Sequence, residues 1–156
     1  MKSKKLIIAS IVLICVVGVL FVFINKNSNN SIEDQENTIR NFYDSYASKN
    51  IELYNLSVVD ELKIKNKEEI KLRESLYNDI LEFNLIEIKE VPVNSLSFNG
   101  KTFDKSNIAK FEIFYNVDFD KNISSSEEGK VSTIKILTRE NEDSPWLIAG
   151  QEGHGL

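Results

Sequence analysis

Ile108-Ala109-Lys110-Phe111-Glu112-Ile113-Phe114-Tyr115-Asn116-Val117-Asp118-Phe119 is the stretch from which the fold can be read. Ala109, Phe111, Ile113, Tyr115, Val117 and Phe119 fall on one side of a period-two alternation, and Lys110, Glu112, Asn116 and Asp118 on the other, with Ile108 and Phe114 as exceptions. Successive side chains of a strand point to opposite faces, so the segment predicts a strand over 108–119 with one apolar face that needs a cover. Downstream, the polar residues 120–129 form a loop and Val131 to Arg139 is strand-like. Asn141-Glu142-Asp143-Ser144-Pro145 turns the chain, and Trp146-Leu147-Ile148-Ala149 is a last strand closing on Gly150, Gly153 and Gly155. Upstream, Asn99-Gly100 between Phe98 and Phe103 marks a type I′ hairpin, whose two central positions both need φ > 0. Before it, Ile86 and Ile88 alternate with Glu87, Lys89 and Glu90 up to Pro92, which ends or edges a strand.

The cover comes from further upstream. Ser31-Ile32-Glu33-Asp34 is close to a capping box, and Ile39, Phe42, Tyr43 and Tyr46 then recur at helical spacing to about Ser48, where Lys49-Asn50 breaks the pattern. Residues 51–57, around Leu53, Tyr54 and Leu56, read as a short second helix. Asn66-Lys67-Glu68-Glu69 is another start signal, and Leu72, Leu76, Ile80 and Phe83 favour a helix over 67–81. Helices first and antiparallel strands after is the α+β arrangement. The stripe of helix 31–48 is expected to lie across the concave face of the sheet, with Tyr43 and Tyr46 meeting Phe111, Ile113, Tyr115 and Trp146.

Leu6 to Ile24 holds one strongly polar residue, Ser10. A helix of that length spans roughly 28 Å, close to the hydrocarbon thickness of a bilayer. Lys2, Lys4 and Lys5 precede it and only Lys26 follows closely, so the positive-inside rule keeps the N-terminus cytoplasmic. The run is long for a cleaved signal peptide, Asn25-Lys26-Asn27-Ser28 offers no Ala-x-Ala site, and Ile14 stands where a lipoprotein needs a small residue before Cys15. The expected organisation is therefore a single-pass protein of the cell membrane, with residues 1–5 cytoplasmic, 6–24 a transmembrane signal-anchor, 25–31 a polar spacer and 32–156 one domain outside the cytoplasm. All 24 acidic residues and 15 of the 19 basic ones lie in 32–156, a net charge of −9. That charge opposes nucleic-acid binding and leaves residues 6–24 as the membrane contact. With Cys15 the only cysteine, the domain has no disulfide and holds together by packing.

Chemistry-bearing patterns are sparse. His154, the only histidine, lacks the partners a catalytic base or a zinc site needs and reads as a tail residue. Asp118-Phe119-Asp120-Lys121-Asn122-Ile123-Ser124 imitates the start of a calcium loop, but Ile123 replaces the required glycine and Gly129 the closing glutamate. Gly150-x-x-Gly153-x-Gly155 ends the chain, so no helix follows to hold phosphates. The acidic runs Glu33-Asp34-Glu36, Glu127-Glu128 and Glu140-x-Glu142-Asp143 read as solvated surface. No cofactor, no metal and no catalytic set is expected, and no acid interrupts the apolar faces at strand or helix spacing.

An amphipathic opening helix with Phe42-Tyr43-x-x-Tyr46, further helix, antiparallel strands and a closing Trp146-x-Ile148-x-Gly150-x-x-Gly153-x-Gly155 together resemble the nuclear transport factor 2-like (cystatin-like) superfamily, and within it membrane-tethered extracytoplasmic members in Gram-positive bacteria. The resemblance covers 32–156 and implies a cone-shaped domain, helices packed on a curved antiparallel sheet, with a central pocket. Some members of that superfamily are enzymes and many are binding or assembly modules, so the fold alone does not choose. The leading expectation is a non-catalytic module that binds a small apolar ligand, a peptide or a partner protein, with Tyr43, Tyr46, Phe111, Ile113, Tyr115 and Trp146 as candidate binding residues. One alternative is a structural component of an envelope or conjugation-type assembly, against which stands the absence of an Asn-Pro dipeptide. Another is a pocket enzyme, weakened by the missing buried acid.

Overall fold

The computed structural model describes residues 32–120 and 129–153. The signal-anchor and spacer, the Ser31 cap, most of the calcium-like loop and His154 lie outside the described residues. Helix α1 covers 32–47, α2 Ile51–Ser57 and α3 Lys67–Asp79, with a 3₁₀ turn at Asp60–Leu62 between the last two. Strands β1 (Ile80–Val91), β4 (Ile108–Phe119), β5 (Gly129–Thr138) and β6 (Leu147–Glu152) form one antiparallel sheet in the order β1-β4-β5-β6. The short strands β2 (Ser97–Phe98) and β3 (Lys101–Thr102) pair separately. The result is a mixed α+β domain in which helices cover a curved sheet.

Local chemistry accounts for the element ends. After α1, Lys49 takes a left-handed φ of 55°, its N–H bonds to Tyr46 O and that of Asn50 reaches Ser45 O at 2.9 Å. This double closure satisfies the last carbonyls of the helix. Asn50 Oδ1 then accepts from Leu53 N and starts α2. Asn66 and Glu69 exchange side-chain and backbone hydrogen bonds in a full capping box at the start of α3. Asn99 and Gly100 both have positive φ, 51° and 76°, as the hairpin signal requires.

Two expectations need correction. The helix predicted over 67–81 ends at Asp79, and Ile80 and Phe83 belong to β1 instead. Leu76 packs against the core as expected and Tyr77 is buried beside it, with Ile70 and Arg73 half-buried, while Leu72 is 73% exposed. Pairing of Ile80 through Val91 along β4 outweighs a helical repeat that only chance spacing produced. Within β1, alternation alone puts Ile86 and Ile88 on one face. A bulge between Leu85 and Glu87 breaks that phase, so Leu85 and Ile88 pack on the core and Ile86 is exposed.

The register of β4 with β5 is uninterrupted, from Ile108 opposite Thr138 to Val117 opposite Gly129. The helix-side face of the sheet therefore carries Ala109, Phe111, Ile113, Tyr115, Val117 and Phe119 from β4, and Val131, Thr133, Lys135 and Leu137 from β5. Ile108 and Ile136, both buried, lie on the other face, where the β2–β3 hairpin sits. Gly150 makes this possible: a Cβ there would come within 2.4 Å of the Phe98 ring, so only glycine lets Phe98 rest on β6.

Candidate functional site: a filled interior and a cleft beneath the hairpin

The six residues singled out in the sequence come together. Tyr43 and Tyr46 from α1, Phe111, Ile113 and Tyr115 from β4, and Trp146 from the turn before β6 belong to one apolar cluster, none more than 4% exposed. Tyr43 stacks on Phe83 with ring centroids 5.5 Å apart and lies 5.2 Å from Tyr115. Tyr46 meets Tyr77 edge-on at 5.5 Å. Thr38 Oγ1 donates to Trp146 O at 3.0 Å and fixes α1 over the end of the sheet. Tyr43 Oη and Trp146 Nε1 are buried without a hydrogen-bond partner among the described residues. Burial pushes the phenols of Tyr43 and Tyr46 well above their ordinary range, with Arg73 pulling Tyr46 back in part.

Two cations packed against this cluster, Lys135 buried and Arg73 half-buried, escaped the sequence reading. Lys135 is 2% exposed, its Nζ donating to Gln151 Oε1 at 2.5 Å and lying 4.6 Å from the Phe42 ring centroid and 5.6 Å from that of Tyr43. Burial, with the charge of Arg73 as a lesser cause, lowers its ammonium from the ordinary 10.5 to about 7. Arg73 donates to Tyr46 Oη at 2.6 Å and its guanidinium lies 4.1 Å from the Tyr54 ring centroid. The signals were present. Lys135 interrupts the apolar run Ile134-x-Ile136-Leu137 in phase with buried Thr133 and Leu137, and Arg73 stands at i+3 from Ile70 and i−4 from Tyr77. Both cations rest against aromatic rings of the core.

On the opposite face lies a cleft of ≈ 1100 Å³. Its apolar surface comes from Val59, Leu62, Phe98, Phe103, Leu147 and Ala149. Its rim carries Asp60, Glu61, Lys101, Asp104, Arg139 and Glu140. One wall, the 3₁₀ turn, is stitched to β6 by Val59 N donating to Ile148 O at 3.0 Å. The back wall is held by Arg139. Its Nε donates to Ser106 O and Asn107 Oδ1, its Nη2 to Ser106 O and its Nη1 to Glu142 O, while the guanidinium covers the Trp146 ring at 4.7 Å. Arg139 thus couples the cleft to the sole tryptophan. Among the described residues, no group of three or more His, Cys, Asp or Glu comes together to hold a metal ion. The arrangement offers apolar contact, charge and hydrogen bonds to a ligand.

A family profile described as a domain of unknown function (DUF4829) matches residues 36–152. No curated protein and no solved structure matches the chain.

Proposed function

Because the chain belongs to that family, and the matched segment holds the whole described sheet, we propose a function for the domain itself: non-catalytic binding of an apolar ligand, a peptide or a segment of a partner protein. The observation that carries this reading is the ≈ 1100 Å³ cleft between the hairpin, the 3₁₀ turn and the end of the sheet. Its volume is slightly above the usual range of small-ligand sites, with room for a peptide segment, and it joins apolar side chains to a few polar groups, which is what such sites need. The helix-side interior supplies stability: its tyrosines and Trp146 are packed against one another.

We further propose that the domain is a cone-shaped member of the nuclear transport factor 2-like superfamily, tethered outside the cytoplasm by residues 6–24. The order of helices and strands and the position of the Phe42-Tyr43-x-x-Tyr46 helix on the sheet support the first part. The apolar run and the lysine asymmetry support the second. Protease added to wall-stripped cells is expected to digest 32–156 and spare the N-terminus; protection of the domain would overturn the orientation.

The binding reading is tested by the emission of Trp146. Full-length protein in phosphatidylcholine bicelles, titrated with short apolar peptides and neutral hydrophobic dyes, is expected to show a saturable change for those that enter the cleft, transmitted through Arg139. Leu62→Ser, at a lip position already 39% exposed, is expected to weaken that response without changing the circular dichroism. A Leu62→Ser response identical to the wild type, for every compound that binds, would remove the cleft from the account.

A further inference from the structure

We infer, building on the binding reading above, that the partner the cleft accepts is a cationic peptide segment with apolar anchors. Four of the side chains lining the cleft are carboxylates, Asp60, Glu61, Asp104 and Glu140, and two are cations. Both cations are committed. Arg139 spends its guanidinium on Ser106, Asn107, Glu142 and the Trp146 ring, and Lys101 Nζ lies 3.4 Å from Glu61 Oε1. Asp60 pairs with Lys63 at 2.7 Å. Asp104 and Glu140 form no ion pair among the described residues, and both are exposed. The turn that brings Glu140, Ser144 and Pro145 to the rim also displays Glu142 and Asp143 to solvent.

The cleft therefore joins an excess of carboxylates to apolar side chains. A domain of net charge −9 adds a long-range field of the same sign. An anionic ligand is repelled by this rim. A neutral apolar ligand uses the apolar side chains and leaves the rim acids merely solvated. A peptide alternating cationic and apolar side chains uses both, sending lysines or arginines to Asp104 and Glu140 and apolar residues onto Phe98, Leu62 and Leu147. Charges at such a rim act mainly on the association rate and on salt sensitivity, and the apolar anchors on the lifetime.

The test uses the full chain in phosphatidylcholine bicelles, whose neutral headgroups do not compete for cationic probes. The probe is a fluorescein-labelled octapeptide alternating lysine with leucine, beside a copy with glutamine in place of lysine, both followed by anisotropy. The lysine peptide is expected to bind at least about tenfold more tightly than the glutamine copy at low salt and to lose most of that advantage near 0.5 M salt. Asp104→Lys combined with Glu140→Lys is expected to weaken the lysine peptide about tenfold and leave the glutamine copy within about twofold. Leu62→Ser is expected to weaken both peptides. Equal binding of the two peptides, insensitive to the charge reversals but weakened by Leu62→Ser, would overturn the cationic preference and leave the binding reading intact. Failure of both peptides and of a neutral hydrophobic dye to bind would overturn both.

Discussion

Replacing Lys135 by methionine is expected to make the protein about 3 kcal/mol more stable at pH 7 and to flatten its stability between pH 7 and about 9.5. In the wild type the lysine is held at about 7 in the folded state, against 10.5 for the ordinary side chain. A base with a depressed folded value contributes most above its unfolded value, and that contribution is lost as pH falls through the window down to the folded value. Wild-type stability therefore rises with pH between about 7 and 10, by about 1.4 kcal/mol per pH unit at most. Tyr43 and Tyr46 act in the opposite sense, since their raised values make stability fall only above the ordinary phenol range near 10. The comparison is therefore made below that limit. Arg73 and Tyr43 share Lys135's surroundings, and neither changes charge between pH 7 and 9.5. Urea unfolding of both proteins at several pH values checks this. Parallel curves for wild type and Lys135→Met would mean that the lysine does not lose its proton in the folded state.

Tyr43→Ala is expected to cost about 3–5 kcal/mol, among the largest losses of any single truncation in the domain. The ring touches α1, β1 and β4 at once through Phe42, Phe83 and Tyr115, so its removal leaves a hole that no single element can move to fill. Tyr43→Phe separates the ring from the hydroxyl. Since Tyr43 Oη has no partner among the described residues, deleting it is expected to be neutral or to stabilise by up to about 1–2 kcal/mol. A Tyr43→Phe loss above about 1 kcal/mol, measured by thermal and urea unfolding, would show that the hydroxyl is satisfied by a buried water or a bound molecule.

How far the sequence could be read follows from which interactions are local. The β4 strand was legible because its alternation runs for twelve residues against one buried face. The Asn99-Gly100 hairpin and the Asn66 cap were legible because their chemistry lies within four residues of chain. The end of α3 was not. Ile80 and Phe83 continue a helical repeat by spacing, and only pairing with Phe119 and Val117 across the sheet decides otherwise. The bulge in β1 was invisible for the same reason. The aromatic set of α1 and β4 was named correctly as a group that meets, because both faces had to be covered by something. Lys135 and Arg73 were passed over because charged side chains are taken as surface by default, and their burial depends on rings contributed by α1, α2 and α3. The cleft was beyond reach altogether. Its walls come from 59–62, 98–107 and 138–149, which are adjacent only because β6 lies at the end of the sheet and the hairpin folds back over Gly150.

The most direct test of the central claim, that ligand meets this domain in the cleft beneath the hairpin, is amide chemical-shift mapping of the ¹⁵N-labelled protein in bicelles during titration with the lysine–leucine octapeptide. Saturable shifts are expected at Leu62, Phe98, Asp104, Leu147 and Ala149, with the amides of Ile113 and Tyr115 unmoved. Shifts centred on Tyr43, Ile113 and Tyr115, with the hairpin amides still, would contradict the account and return the site to the interior of the sheet.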